Sequence, residues 1–330
     1  MKRDAFFDNA KFILIFFVVF GHVVQPITVE SEMIAMLYRF IYLFHMPAII
    51  LVSGFFAKGE SQPSYLFSLV RKLLIPYVIF QKIYTAYYYF FTDRGWSTPL
   101  FEPHWSLWFL LSLFSWHLLL IVFKRLSAKH GIALSVVIGL IVGYFDSVGH
   151  VYSLSRTFVF FPFFLIGYWL SKEQLFLVKK RRMKMLSLAV ISLALFLVYI
   201  MPNFQVGWLF GSASYQSLDA PTMGAFIRTG VYIVTFLLIF SFYAWIPRRQ
   251  LTLTKFGQQT IYVYLLHGLF VQFFRERDLI QINGLLDFAV VVAISLALVL
   301  LLSSKPIFIS FQPIIETKTT AWRQLSQRTG

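Results

Sequence analysis

The sequence predicts an all-α fold, a polytopic membrane helix bundle of about ten transmembrane helices with a cytoplasmic N-terminus. Three observations carry that expectation. Of 330 residues, 58% are hydrophobic and only 13% charged, whereas soluble domains run at about 45–50% apolar and about 25% charged. Mean hydropathy is +0.73, and the apolar residues fall into long runs. The net charge of +15 sits in short Lys and Arg clusters between those runs, the distribution of a membrane protein and not of a nucleic-acid-binding patch. With no cysteine, disulfides, thiolate-held metals, Fe–S clusters and thiol nucleophiles are excluded.

About 20 residues cross the hydrocarbon as a helix, and by that measure the candidate spans are roughly 10–29, 35–57, 73–92, 105–123, 132–145, 157–171, 186–202, 225–245, 259–274 and 285–304. The first follows Met1-Lys2-Arg3-Asp4 and ends in Gln25-Pro26. It lacks the small-residue cleavage site of a signal peptide and reads as a retained span. The second holds Phe44-His45-Met46-Pro47 and Ser53-Gly54, the latter suited to close helix packing. The third carries Lys82, and the fifth is short. The fourth opens on Trp105-Ser106-Leu107-Trp108-Phe109. The longest loop, from about Asn203 to Gly224, is rich in Gly and Ser. Residues 1–304 read as one membrane domain and 305–330 as a cytoplasmic tail. With the N-terminus inside, 22 of the 29 Lys and Arg residues fall on cytoplasmic segments. Arg94, Arg156, Arg228, Arg275 and Arg277 fall outside, and Arg39 and Lys82 lie within spans.

Polar groups at membrane depth are functional candidates by default. His22 lies about 18 Å from the inner end of the first span at 1.5 Å per residue. His45 and His267 lie mid-span on two other helices. Three histidines on three helices can converge on one cavity as general bases, or serve as interhelical hydrogen-bonding groups. A three-His metal site is the minor reading, since no carboxylate neighbours them. Asp8 and Lys11 form either an i,i+3 pair or, with Arg3, a cytoplasmic polar mouth. Asp8 is about 21 Å from His22 along a continuous helix and cannot orient its ring. Arg71 and Lys72 open the third span, where two cations oppose the helix dipole unless an anion joins them. The phosphates of a nucleotide donor would serve, and ordinary positive-inside residues are the alternative. Arg156 binds an acceptor or pairs with Asp146. Trp105 reads as an interfacial anchor, with stacking on a sugar ring as the second reading.

These residues together resemble the acyltransferase-3 family of integral membrane acyltransferases, in its fucose 4-O-acetylase-like branch. The matching pieces are Arg3…Asp8-Asn9-Ala10-Lys11…Gly21-His22, Phe44-His45-Met46-Pro47…Ser53-Gly54-Phe55 and Arg71-Lys72…Pro76-Tyr77. They continue with Trp105-Ser106-Leu107-Trp108-Phe109-Leu110, Arg156…Pro162-Phe163-Phe164…Gly167-Tyr168 and Tyr262…Tyr264-Leu265-Leu266-His267. The resemblance implies acyl transfer from cytoplasmic acyl-CoA, usually acetyl-CoA, to a hydroxyl of a carbohydrate or lipid-linked glycan of the cell envelope. It implies a multi-pass protein of a bacterial plasma membrane among membrane lipids, with no metal and no nucleic-acid partner. His22 takes the place of the family's essential histidine, as base or acyl acceptor. Arg3, Asp8, Lys11, Arg71 and Lys72 are expected at the donor, and His45, Trp105, Arg156 and His267 at the substrate. Lys11 stands where the family often has Arg, which keeps the charge and loses bidentate phosphate geometry. A transporter or flippase of a glycan or lipid-linked sugar is the alternative function.

Overall fold

The computed structural model describes residues 3–92, 96, 102–148 and 153–317, and no strand occurs among them. The chain forms α1 (Ala5–Val24), α2 (Glu32–Phe55), α3 (Pro63–Leu69), α4 (Ile75–Phe91), α5 (Trp108–Phe123), α6 (Ala128–Ile141) and α7 (Leu154–Trp169). It continues through α8 (Lys172–Phe176), α9 (Arg181–Ile200), α10 (Gly207–Phe210), α11 (Gly224–Trp245), α12 (Thr260–Glu276), α13 (Leu285–Leu302) and α14 (Lys305–Ile315).

Every apolar run expected to span is helical. Among the described residues, six helices are long and apolar enough to cross a membrane: Ala5–Val29, Glu32–Phe55, Trp105–Phe123, Arg181–Ile200, Gly224–Trp245 and Leu285–Leu302. A seventh candidate, α7 together with Lys172–Lys179, is bent by 100°. The protein is thus a multi-pass helical membrane protein. The count of ten drew on α4, α6, α7 and α12 as well, which are 17, 14, 16 and 17 residues long. These shorter helices fall below the length that alone identifies a span. Arg94, Lys318, Arg323 and Arg328 lie outside the described residues. The segment expected as tail starts with a helix, α14, and Glu316 just beyond it accepts a 2.9 Å hydrogen bond from Tyr262 of α12.

α1 runs through the core. Phe6, Leu14, Val19 and Val24 are fully or nearly fully buried along it, and α2, α12 and α13 pack around it. Its N-terminus is capped by Asp4, whose carboxylate accepts from the Phe6 amide at 2.9 Å and pairs with Lys172 at 2.5 Å. Partial burial opposes ionisation, but the Lys172 hydrogen bond and the Phe6 amide prevail and hold the carboxyl below its ordinary value. Asp4→Ala is expected to lower stability by about 0.5–2 kcal/mol, the usual worth of an N-cap. Because the folded-state value is depressed, the ionised cap stabilises fully above pH ~4, and that contribution fades as pH falls through the folded value. Thermal unfolding in detergent between pH 7 and pH 3, wild type against variant, reads both effects.

The end of the bundle opposite His22 is tied together by cationic and polar segments. Asn9 donates to the Pro247 and Arg249 carbonyls at 2.9 and 3.0 Å and accepts from Thr254 at 2.6 Å. Arg3 donates to Gln258 at 3.0 Å, and Lys124 to the Gly59 carbonyl at 2.6 Å. The basic loops therefore gather at one end of the molecule.

The closest helix pair is α2 with α7. A Cβ at Gly54 would collide with the Phe164 carbonyl, and one at Gly167 with the Leu51 carbonyl. Two glycines facing opposite backbones let these helices touch main chain to main chain, as the Ser53-Gly54 pair suggested. α7 is thereby fixed against the helix that carries His45.

Candidate active site

α1, α2 and α12 bring the three intramembrane histidines together at the end opposite the basic loops. The His22 ring lies 5.5 Å from that of His267, centroid to centroid, and 4.2 Å from Trp105. Trp105 also lies 5.4 Å from His267. His45 joins through Tyr42, whose ring is 4.6 Å from His45 and whose hydroxyl is 3.4 Å from His22 Nδ1. His22, His45, Trp105, Arg156, Tyr42 and Tyr264 all line one cavity of about 150 Å3. His267 is fully buried behind His22.

Hydrogen bonding sets the imidazole tautomers. His45 Nδ1 is 2.9 Å from the Ile41 carbonyl, and His267 Nδ1 is 2.9 Å from the Val263 carbonyl. A carbonyl only accepts, so both rings carry their proton on Nδ1 and present Nε2 as a lone pair. His267 Nε2 finds no hydrogen-bond partner among the described residues. At His22, Nδ1 faces the Tyr42 hydroxyl, which can donate or accept; the tautomer with its proton on Nδ1 is the one that leaves Nε2 as the basic nitrogen.

Arg275 clamps the end of α1. Its Nη2 donates to the His22 carbonyl at 2.6 Å and to Gln25 Oε1 at 2.8 Å, and its guanidinium lies over Trp105 at 5.3 Å. Composition marked Arg275 only as an outer charge, and neither Tyr42 nor Gln25 stood out. Arg275 does follow His267 by two helical turns, the one sequence signal that placed it near the site. Loss of hydrogen bonds to a charged group costs about 1.5–3 kcal/mol. Arg275→Met is accordingly expected to lower kcat about 10–100-fold while leaving KM for the acyl donor within twofold, measured by steady-state kinetics.

Trp105 adopts a left-handed backbone, φ 41°, a geometry that costs on the order of 1–3 kcal/mol and clusters at functional sites. Gly268 makes room for its ring on α12, since a Cβ there would meet Trp105 at 2.6 Å. Its indole packs against the His22 and His267 rings and lines their cavity. Of the two readings of Arg156, the pairing with Asp146 does not form. Asp146 accepts instead from Ser214, while Arg156 lies over Trp108 at 5.1 Å and its Nε donates to the Phe210 carbonyl at 3.3 Å. The 203–224 loop explains the difference. It folds back with α10 over the cavity, interposes Phe210 and binds Ser155 to the Gly211 carbonyl at 2.9 Å. Among the described residues Arg156 has no carboxylate partner, and it stands in the cavity wall.

At the other end, Asp8 pairs with Lys11 at 2.7 Å and with Arg3 at 3.6 Å. Lys11 lines a second cavity of about 140 Å3, with Ser53 and Thr260. The two cavities abut, because Val18, Met46 and Tyr264 line both. Together they follow α1 from Lys11 toward His22. Arg71 and Lys72 do not open a helix as the sequence suggested. Helix begins at Pro63 and passes through a π turn, Val70–Leu74, into α4. The amide of Ile75 bonds back to the Val70 carbonyl, so no free helix N-terminus exists there to bind phosphate. Neither cation forms an ion pair among the described residues, and neither lines the cavities. Among the described residues no group of three His, Asp or Glu is arranged to hold a metal ion.

A family model described as an acyltransferase domain, Acyl_transf_3, matches residues 4–304. The chain belongs to the acyltransferase-3 family. It is therefore an acyltransferase, and the transporter reading is not favoured. The chain is also similar to nodulation protein NolL of Sinorhizobium fredii (strain NBRC 101917 / NGR234), 26% identical over 309 residues. That alignment covers 87% of this chain and 82% of NolL. No solved structure matches it.

Proposed function

We propose that this acyltransferase moves an acetyl group from acetyl-CoA, bound at the basic end, to a hydroxyl of a carbohydrate or cell-envelope glycan entering at the opposite end. The observation that carries this reading is the pair of abutting cavities, one reaching Lys11 and the other ending on His22. In this reading the N-terminus and basic loops are cytoplasmic, all ten apolar helices insert, and the membrane is the bacterial plasma membrane. Lys11 and Arg3 at the cavity mouth, with Arg71 and Lys72 nearby on the same end, hold the donor phosphates. Two small abutting cavities of about 150 and 140 Å3 suit a thin thioester arm.

His22 Nε2 takes the proton of the acceptor hydroxyl as its oxygen bonds to the thioester carbonyl carbon. The carbonyl oxygen becomes an oxyanion, and the unpaired Arg156 guanidinium in the same small cavity stabilises it. The C–S bond then breaks. The departing thiolate takes the proton from the His22 imidazolium, restoring the neutral base. Trp105 and His45 shape the acceptor side, and His267 supports His22 from behind.

Purified protein given labelled acetyl-CoA and a panel of soluble glycans is expected to place label on a glycan hydroxyl. Release of labelled acetate alone, with every glycan unlabelled, would remove the carbohydrate acceptor. Arg156→Gln is expected to lower kcat by about 10²–10³-fold, the usual cost of one oxyanion donor, with donor binding measured by equilibrium dialysis unchanged. An unchanged kcat would take Arg156 out of that role.

A further inference from the structure

Beside the catalytic cavity, and separated from it by α2, lies an apolar groove of about 300 Å3 between α2, α9 and α11. Leu43, Ala194, Val198, Val231 and Val234 are among its walls, and Arg39 is its one charged lining residue. Arg39 sits about 10 Å inside α2, seven residues past Glu32 at 1.5 Å each. Its Nε is buried and has no hydrogen-bond partner among the described residues. An ionised group at membrane depth is expensive unless paired, so an arginine facing a groove there is a candidate ligand-binding group. Arg39 also lines a wider space of about 810 Å3 with Thr28, Glu30, Glu32 and Asn203 at the helix ends. Leu209 of α10 lines both the groove and the catalytic cavity.

We propose that this groove binds one hydrocarbon chain of a lipid phosphate, with the phosphate on Arg39 and the headgroup in the wider space beyond. The charge selects the ligand class. A guanidinium at the end of an otherwise apolar groove matches an anion joined to a chain, and its planar fork matches phosphate oxygens. The volume, about 300 Å3, lies at the bottom of the range for ligand pockets and suits a single chain. The headgroup space suits a hydroxyl-rich group, because Glu30 and Glu32 accept hydrogen bonds from hydroxyls. Ile233, one turn from Gly230 of the groove, is 57% exposed and Phe226 is 72% exposed, so the neighbouring surface of α11 faces lipid from which a chain can enter. Coupled to the proposed acyl transfer, on which only this last step rests, the groove anchors the acceptor one side chain away from the catalytic cavity.

The test is binding, read by native mass spectrometry of the full chain in detergent with a polyprenyl phosphate. Arg39→Gln removes the charge. Gly230→Phe places a ring in the groove from a position where an added Cβ meets nothing within 4 Å. Each variant is expected to weaken binding at least ~10-fold, in line with the cost of an unpaired charged hydrogen bond or a blocked pocket, and Arg39→Lys to recover part of it. Uncharged polyprenol is expected to bind wild type and Arg39→Gln equally. Unchanged polyprenyl phosphate binding in both variants would overturn the site. Equal binding of a diacyl phosphatidic acid would overturn the single-chain assignment. His22→Ala, which disables the proposed chemistry, is expected to bind polyprenyl phosphate as wild type does, so the lipid site and the acyl-transfer reading fail separately.

Discussion

His22→Ala is expected to lower kcat for acyl transfer by about 10²–10⁴-fold, the range contributed by a positioned general base, while acetyl-CoA still binds. The magnitude follows from what the ring does in the cavity. It lines the cavity that abuts the Lys11 cavity, and the clamp of Arg275 on its carbonyl holds it there. His45 and His267 use Nδ1–H on their own helix carbonyls and are buried, whereas His22 keeps part of its surface open. Single-turnover kinetics with labelled acetyl-CoA, together with thermal unfolding to confirm an intact fold, measures the effect. A kcat within about tenfold of wild type would remove His22 as the base. Label that accumulates on the protein and then passes to acceptor would assign His22 the covalent role in place of base catalysis.

The largest expected structural effect is at the α2–α7 contact. Gly54→Val and Gly167→Val each put side-chain carbon where the opposite backbone carbonyl stands. A side chain can rotate away from an intruder, but a carbonyl held in a helical hydrogen bond cannot. Overpacking in a close-packed core costs about 1–3 kcal/mol and occasionally more, and here both neighbours are main chain, so the upper end applies. Either variant is expected to express poorly and to unfold in detergent at least ~5 °C below wild type. The shift follows from about 2–4 °C per kcal/mol for a chain of this size. Gly54→Ala is expected to fall between. Activity should track the loss, because α2 carries His45 and Tyr42 and α7 carries Arg156. Equal stability of Gly54→Val and wild type would mean the two helices can separate without consequence.

Much of the site could be read from residue types alone. A histidine in an apolar span is conspicuous because the bilayer penalises it, and so His22, His45 and His267 declared themselves. Arg156 did so as one of few outer cations. Its partner stayed open between an acceptor and Asp146, because contact with the Phe210 carbonyl depends on how the 203–224 loop folds back, and a Gly- and Ser-rich loop carries no periodicity that fixes its path. Tyr42, Gln25 and Arg275 stayed hidden for a related reason. A tyrosine within an aromatic-rich span, or a glutamine or arginine at a span end, is ordinary, and only contact with His22 across 253 residues of sequence makes Arg275 a clamp. Arg71 and Lys72 were misplaced at a helix start because a π turn keeps the apolar pattern but lets the helix begin eight residues earlier.

By itself the sequence determined that the chain enters a membrane as helices, where the apolar runs lie, which ends carry positive charge and which polar residues the bilayer would not tolerate idle. Those properties are local sums over residues, set by transfer free energies. The tertiary structure alone decided which face each helix turns inward, that the Lys11 and His22 cavities abut, that Trp105 packs against the imidazoles, and that Arg39 ends a groove. These depend on contacts between residues far apart in the chain, where one glycine pair or one folded-back loop chooses among packings that residue composition leaves equal.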